Sequence, residues 1–388
     1  MEYLSRRLES ALKQQLSKYP ILAVTGPRQS GKTTLLKHLF PDYTYVSLEN
    51  ENIRSFAQDD PVGFLKRYPF KAIFDEVQRV PGLFSYLQTE VDQSGMMGQF
   101  ILSGSQNFHL LGSITQSLAG RVALFRLLPF DLSELKRQQL LPRQWTQLAQ
   151  RGAYPALYSR QMDTPVFYHN YIETYLNRDV AAWSNIRDMR AFRQFLSLCA
   201  GRTGQLLNLS NLAADCAISQ PTAKAWLSIL ESSYIVFLLH PYHKSYNKRI
   251  IKTPKLYFYD TGLACFLLGI RKPEDLDLFE QAGNIFENLI VADFIKRNHH
   301  RYLFQEFWFW RDSNGNEVDL LTRDGQYLHI YEIKSSQTLN SRLFHGMDYF
   351  SAASTEKIGA KTLIYGGDES QERTQYKVRT WMDIDAEN

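Results

Sequence analysis

Residues 26–34, with the sequence GPRQSGKTT, contain a glycine separated by four residues from Gly-Lys-Thr. Backbone N–H groups of a loop with this spacing, together with the start of the helix that follows, surround phosphate groups. In such a loop Lys32 reaches the terminal phosphates and the Thr33 hydroxyl binds Mg²⁺. The spacing therefore predicts an ATP-binding site formed by the following residues: Gly26, Pro27, Arg28, Gln29, Ser30, Gly31, Lys32, Thr33 and Thr34.

An acidic pair, Asp75 and Glu76, comes directly after the short apolar stretch Ala-Ile-Phe at 72–74. In phosphoryl-transfer sites an Asp in this place orients the water shell of the metal, and an adjacent Glu activates the attacking water. A glutamate base favours attack by water over transfer to a second substrate. We therefore expect an ATPase in which Asp75 serves the Mg²⁺ ion and Glu76 is the catalytic base.

Polar residues near two other apolar runs could take part in the same chemistry. Ser103 and Asn107 lie at the end of the run at 99–108, where they could hydrogen-bond the γ-phosphate or the attacking water. Arg121 directly precedes the run at 122–130 and is a candidate arginine finger, acting in its own chain or on a neighbouring subunit. If Arg121 acts on a neighbouring subunit, the protein must be a homo-oligomer.

The elements that must hold these residues follow from the apolar spacing. Residues 21–24 form an apolar run of the kind typical of a buried parallel strand, and leucines at 35, 36 and 39 have the spacing of a helix face. Four more strands are predicted, at 43–50, 72–74, 99–108 and 122–130. Strands alternating with helices predict a doubly wound parallel sheet with the nucleotide at the carboxyl ends of the strands. This α/β domain would span residues 1–134.

Four stretches of this domain, GPRQSGKTTLL, IFDEVQRVP, ILSGSQNF and SLAGRVALFRLLPF, resemble those of a widespread prokaryotic group of AAA-type (ASCE) P-loop ATPases. In that group the ATPase is fused to a C-terminal domain of unknown function. The resemblance extends to FENLIVADF and YEIKSS near the C-terminus, so it covers nearly the whole chain. It implies a cytoplasmic ATPase without a defined biological role.

The middle of the chain is expected to form two units. Residues 135–205 have helical periodicity and would form a lid, with Arg178 and Arg187 as candidates for sensing the phosphates. Residues 206–270 contain a helix-turn-helix pattern followed by two strands around a basic loop, which predicts a winged helix. Such a loop suits the DNA backbone, although winged helices also bind proteins. Its basic residues are Lys244, Lys248, Arg249, Lys252 and Lys255.

A second group of reactive side chains lies on a predicted hairpin at 316–336. A two-residue turn at Asp324-Gly325 pairs Asp319 with Ile330. Because strand side chains alternate between faces, Asp319, Glu332 and Lys334 share one face. Asp319 and Glu332 would be diagonal neighbours about 7 Å apart at Cβ.

Carboxylates so placed could bind one divalent ion, Lys334 could stabilise a charged phosphorane, and a helix at 286–297 could bring Glu287 to the same metal. An acid followed by Asp and Glu-x-Lys resembles the PD-(D/E)XK nuclease superfamily. Residues 271–388 would then form an α/β restriction-endonuclease-like domain. The alternative is that the fold is kept and the site does not cleave.

Composition narrows the classes of function. The formal net charge is only +4, so any DNA-binding surface must be local. The three cysteines, Cys199, Cys216 and Cys265, have no metal-ligand spacing and fit a reducing cytosol. No apolar run is long enough to predict a membrane span. Three hypotheses remain: a DNA-associated ATPase without cleavage, an ATP-regulated nuclease, and an ATP-driven signalling switch that binds only proteins.

Overall fold

A computed structural model describes residues 3–105, 118–174, 186, 188–242 and 252–384. Its N-terminal part is a parallel sheet with helices on both faces, as the sequence predicts. The elements, in chain order, are α1 (Leu8–Leu16), β1 (Ile21–Thr25), α2 (Lys32–Leu39), β2 (Thr44–Ser47), α3 (Glu51–Asp59), α4 (Pro61–Arg67), β3 (Ala72–Asp75), α5 (Leu83–Ser94), β4 (Phe100–Gly104) and β5 (Val122–Arg126). The strands lie in the order β2-β3-β4-β1-β5.

Strand β1, which lies between β4 and β5, is buried at all five positions. Its side chains alternate between two cores: Leu22 packs with Leu36 on one face, and Ala23 packs with Phe64 on the other. A strand covered on both faces needs apolar residues throughout, which is why residues 21–24 are uniformly apolar. The parallel register aligns Asp75 with Ser103 at the carboxyl ends of β3 and β4. The loop after β1 and the acidic pair after β3 therefore meet at one edge of the sheet.

The middle part is mainly helical and ends in a small antiparallel sheet. Its elements are α6 (Leu132–Arg137), α7 (Trp145–Arg151), α8 (Pro155–Ser159), α9 (Thr164–Tyr171), α10 (Met189–Ala200), β6 (Gln205–Leu206), α11 (Leu209–Asp215), α12 (Gln220–Ser232), β7 (Val236–Leu239), β8 (Lys255–Phe258) and α13 (Thr261–Leu267). The strands lie in the order β6-β8-β7. Ser219 caps α12 by accepting from the Thr222 N–H at 3.2 Å, and Trp226 of α12 packs edge-on against Phe192 and Phe195 of α10. These contacts hold α12 against α10.

The C-terminal part is a mixed sheet flanked by two helices. Its elements are α14 (Ala282–Arg301), β9 (Phe307–Arg311), β10 (Glu317–Asp324), β11 (Tyr327–Lys334), α15 (His345–Ala353), β12 (Lys357–Tyr365), β13 (Gln371–Glu372) and β14 (Lys377–Thr380). The strand order is β13-β14-β12-β11-β10-β9. Phe286 of α14 packs edge-on against Trp145 of α7, and both belong to one core that joins the middle and C-terminal parts.

The hairpin exists, but its predicted register is wrong. Asp324 pairs with Tyr327, so the turn is Gly325-Gln326 and not Asp324-Gly325. Gly325 has φ 54°, a left-handed conformation that glycine adopts without the penalty of a Cβ, and it takes the first turn position. The observed pairing of the two strands is shifted by two residues from the predicted pairing. Because side chains alternate with a period of two, every side chain keeps its predicted face of the sheet. Continued one residue beyond the Leu320–Tyr331 pair, the register sets Asp319 opposite Glu332.

No helix in the described ranges is long and apolar enough to cross a membrane.

Candidate functional site

The loop after β1 has the backbone of a phosphate-binding loop. Gly31 has φ 93° and directly precedes α2, which begins at Lys32. Gly26 has φ 150°, and a Cβ there would lie 2.1 Å from the Leu127 carbonyl oxygen, so this close approach requires glycine. The Lys32 ammonium is 6% exposed and donates to the carbonyls of Gly26 at 2.9 Å and Pro27 at 2.8 Å. Burial lowers the pKa of Lys32 to about 8.

The two predicted Mg²⁺ residues are in contact. The Thr33 hydroxyl donates to Asp75 Oδ2 at 2.8 Å, and the Tyr45 hydroxyl donates to the same oxygen at 2.6 Å. A hydroxyl and a carboxylate held together on a phosphate-binding loop suit Mg²⁺, which prefers oxygen ligands and keeps several of its waters. Sequence reasoning missed Tyr45, because its place beside Asp75 depends on β2 lying next to β3.

Glu76 lies at the wall of the same cavity as Lys32 and Thr33. Its backbone is left-handed (φ 55°, ψ 41°), which turns the chain away from β3. Glu76 Oε2 accepts from the Ser105 hydroxyl at 3.0 Å and from the Gln78 amide. The hydroxyl of the predicted Ser103 is buried, with no hydrogen-bond partner among the described residues. Asn107 lies outside the described residues.

The cavity over the loop has a volume of about 510 Å³ and is lined mainly by three segments, together with Glu49, Glu76 and Phe130. Loop and helix residues 28–35 form its floor, and the N-terminal residues Tyr3, Leu4 and Arg6 form one wall. Pro155, Arg160 and Thr174 reach it from the lid region. The cavity is large enough to enclose a nucleotide. The candidate lid sensors Arg178 and Arg187 lie outside the described residues.

Arg6 fixes the loop to the rest of the molecule and was missed in the sequence. It donates to the Ser30 carbonyl at 2.8 Å, to the Leu128 carbonyl at 2.6 Å and to Glu134 at 3.0 Å. Asp131, Glu134 and His300 form a buried group whose ligand atoms lie within 4.8 Å of one another. The Arg6 guanidinium pairs with Glu134 of that group and lies 3.5 Å from His300 Nε2, so it joins the loop, α6 and α14.

Arg121 lies at the other end of the sheet. Its carbonyl accepts from the Ile21 N–H at the start of β1, whereas the phosphate-binding loop follows the end of β1. Its guanidinium forms a bidentate pair with Asp92 at 2.6 and 2.8 Å. Arg121 therefore cannot reach the cavity of its own chain, and the predicted role in cis is wrong. A role on a neighbouring subunit stays a prediction.

In the C-terminal part, the structure brings together the three hairpin residues. The Lys334 ammonium lies 2.7 Å from Asp319 Oδ2 and 2.7 Å from Glu332 Oε2. Both carboxyl groups are buried, with Asp319 at 4% and Glu332 at 3% exposure. Burial and the neighbouring Asp319 raise the pKa of Glu332 well above its ordinary value.

Glu287 lies beside Asp319 and Glu332, and a second lysine contacts it. Lys255 of β8 is 2% exposed, and its ammonium lies 2.7 Å from Glu287 Oε1 and in contact with Glu317. The assignment of Lys255 to a basic DNA-facing loop is therefore wrong, because the side chain points into the protein. Of the other predicted DNA-binding residues, Lys252 is exposed, while Lys244, Lys248 and Arg249 lie outside the described residues.

Helix α15 covers the group of acids. A Cβ on Gly346 would lie 2.0 Å from Glu332 Oε1 and 2.2 Å from the Glu317 carbonyl oxygen. The helix backbone therefore rests directly on the carboxylate. Elements α14, β8 and α15 surround these acids, and the Lys334 side chain, 37% exposed, lies at the solvent side of the site.

The chain matches three family models: an AAA domain at residues 18–136, a domain of unknown function (DUF8612) at 142–274, and a domain of unknown function (DUF4143) at 282–383. Two uncharacterized proteins, from Mycobacterium bovis and Mycobacterium tuberculosis, are each 29% identical over 336 residues, or 86% of this chain and 74% of theirs.

Similar solved structures include a Walker-type ATPase of Pyrococcus abyssi, which is 15% identical in sequence. The match covers 68% of this chain and 96% of that chain, with a TM-score of 0.43. RuvB of Thermotoga maritima has 19% identity, coverages of 60% and 85%, and a TM-score of 0.31. AMPPCP-bound DnaA of Aquifex aeolicus has 16% identity, coverages of 58% and 85%, and a TM-score of 0.28. By its AAA-domain match and its parallel sheet, the chain has an N-terminal domain of the AAA-type P-loop ATPase kind.

Proposed function

We propose that this protein binds ATP together with Mg²⁺ and hydrolyses it. The observation that carries this proposal is the meeting of Lys32, the Thr33–Asp75 contact and Glu76 at one cavity. The Lys32 ammonium donates to two carbonyls and not to a carboxylate, so an anionic phosphate is a better partner than those it has. Thr33 and Asp75 would hold Mg²⁺, which neutralises charge on the phosphates when bound.

Glu76 is the base in this proposal. Ser105 and Gln78 hold its Oε2 atom, which leaves Oε1 to accept a proton from water. A positioned carboxylate base contributes about 10²–10⁴-fold to a rate. Because Glu76→Gln keeps the shape of the side chain, it removes this contribution and leaves the phosphate contacts in place.

The experiment compares nucleotide binding with phosphate release in wild type, Lys32→Ala and Glu76→Gln. Lys32→Ala should lose both binding and turnover. Glu76→Gln should bind ATP and lose about 10²–10⁴-fold in turnover. The exposed Lys66→Ala and Glu51→Gln are matched controls from the same domain. Normal turnover in Glu76→Gln, or unchanged binding in Lys32→Ala, would contradict the proposal.

We further propose that the middle part is a winged helix that binds DNA. What supports this is the order α10, β6, α11, α12, β7, β8, with β8 at the centre of the small sheet. Gln220 and Lys224 on α12 and Lys252 before β8 are exposed. Pro155, Arg160 and Thr174 line the nucleotide cavity, so closure of that cavity on ATP would move α8 and α9, which lie between the ATPase domain and α10 in the chain.

Duplex binding measured over a range of salt tests this part. Lys224→Ala and Lys252→Ala should each weaken binding and lower the salt slope by about one. Lys18→Ala, an exposed lysine on the ATPase domain, is the control. If wild type does not bind duplex at low salt, the proposal that the middle part binds DNA is wrong. We do not propose cleavage, because the carboxylates that would carry it are buried and paired with lysines.

A further inference from the structure

Three acids of the C-terminal part form what we name the carboxylate cluster: Glu287 of α14 with Glu317 and Asp319 of β10. Each offers one oxygen atom, and the three atoms lie within 4.8 Å of one another. Carboxylates at such distances repel, so a buried group of this kind needs either a cation or protons. The spacing suits a divalent ion, which carboxylate oxygens bind at about 2.0–2.6 Å.

The protein supplies that cation from another part of the chain. Lys255 is the first residue of β8, and its ammonium lies between two of the acids. Lys255 Nζ is 2.7 Å from Glu287 Oε1 and also contacts Glu317. Burial alone would lower the pKa of Lys255, but Glu287 and Glu317 raise it above its ordinary value. Lys255 is therefore charged within the cluster.

The groups around Lys255 complete its surroundings. The Tyr257 hydroxyl, two residues along β8, donates to Glu287 Oε1 at 2.5 Å. The Phe309 ring faces the ammonium with 5.5 Å between Nζ and the ring centroid, a cation–π distance. Lys255 is thus held by two carboxylates and an aromatic face.

Two more cationic side chains contact the acids of the cluster. Arg311 Nη1 lies 2.9 Å from Glu317 Oε2, and Lys334 Nζ lies 2.7 Å from Asp319 Oδ2. Each acid of the cluster therefore contacts at least one cationic side chain. An added divalent ion would bring like charge next to Lys255.

We propose that Lys255 is the resident cation of the carboxylate cluster, in the place where a divalent ion would lie. The cluster then ties β8 of the middle part to α14 and β10 of the C-terminal part. It can take a divalent ion only when the ammonium is removed. This inference does not depend on ATP hydrolysis.

The test uses the full chain, without nucleotide, in an Asp75→Asn background that disables the Thr33–Asp75 pair. Binding of Mn²⁺ is followed by electron paramagnetic resonance. Lys255→Ala should bind one Mn²⁺ at least about tenfold more tightly than the Lys255 chain. Adding Asp319→Asn should remove this gain. The matched control is Lys361→Ala, whose ammonium pairs with Asp348 at 3.2 Å near the surface of the same sheet, and it should bind like the Lys255 chain.

Removal of Lys255 could also unfold the chain, so thermal unfolding is measured with and without Mn²⁺. The proposal requires Mn²⁺ to raise the unfolding midpoint of Lys255→Ala more than that of the Lys255 chain. Two results would overturn it. One is Asp319-dependent Mn²⁺ binding of equal affinity with Lys255 present. The other is a Lys255→Ala chain that neither binds Mn²⁺ nor is stabilised by it.

Discussion

Two buried lysines, Lys32 in the ATPase domain and Lys255 at the carboxylate cluster, are nearly equal in exposure and opposite in environment. Lys32 is 6% exposed and Lys255 is 2% exposed. Lys32 donates to two backbone carbonyls beside an open cavity. Lys255 lies against two carboxylates, one on α14 and one on β10. Burial lowers the pKa of Lys32 to about 8, whereas Glu287 and Glu317 overcome burial and raise that of Lys255.

The difference separates a ligand site from a structural site. A buried ammonium without a carboxylate partner is costly until an anion binds, so Lys32 favours a bound phosphate. A buried ammonium already paired with two carboxylates gains nothing from a ligand, and removing Lys255 leaves the buried Glu287 without its cationic partner. If only the closeness of acidic side chains were considered, both the nucleotide cavity and the carboxylate cluster would be assigned a catalytic role.

The largest effect we expect is on stability and separates the two lysines directly. Lys255→Met should cost about 3–5 kcal/mol of folding free energy, because it leaves the buried Glu287 without its cationic partner, while Arg311 still pairs with Glu317. Lys32→Met should leave stability unchanged or higher, since it removes a desolvated charge. Urea unfolding of the two nucleotide-free variants measures this. Equal losses would mean that the two sites do not differ as described.

The pH dependence of ATP binding gives a second, smaller effect. Lys32 must be charged to bind phosphates, so ATP affinity should fall as the pH rises through about 8, the pKa of Lys32. Stability without nucleotide should change in the opposite direction. Between about 8 and 10.5 the unfolded chain binds more protons at this residue than the folded chain, so stability rises with pH.

Nucleotide titrations from about pH 7 to about pH 10 check this dependence, and Lys32→Met is the control that should lack the stability increase. The effect of Lys255 on the pH dependence of stability has the opposite sign. Because the pKa of Lys255 is raised in the folded chain, its contribution to folding stability is fully present below the ordinary pKa of lysine. That contribution is lost only as the pH rises through the pKa that Lys255 has in the folded chain. A decline of ATP affinity that persists unchanged when Lys32 is replaced would contradict this assignment.

The smallest effect is expected at Arg121, whose exposed pair with Asp92 lies away from both lysines. Arg121→Ala should leave the turnover of dilute protein unchanged, because Arg121 cannot reach its own cavity. Specific activity measured against protein concentration tests the role in trans. If activity rises with concentration in wild type and not in Arg121→Ala, and mixing with Lys32→Ala restores it, Arg121 serves a neighbouring subunit.

Local spacing was enough to predict the parallel sheet and the phosphate-binding loop. The glycines at 26 and 31 are required by backbone conformation, and Asp75 is the last residue of its strand, so their roles depend on neighbours in the sequence. Alternation along β10 and β11 gave the correct faces for Asp319, Glu332 and Lys334. The turn position failed, because the choice of Asp324-Gly325 or Gly325-Gln326 depends on pairing along the whole hairpin.

Only the tertiary structure decided how the charges are compensated. Tyr45 reaches Asp75 because β2 lies beside β3, and Arg6 reaches Glu134 across 128 residues of chain. Lys255 follows a basic stretch and was assigned to solvent, yet β8 places it against α14 and β10. The residue types and the faces of single elements follow from short-range spacing. Whether a buried charge is paired or awaits a ligand depends on which distant elements meet, and that is a property of the folded chain.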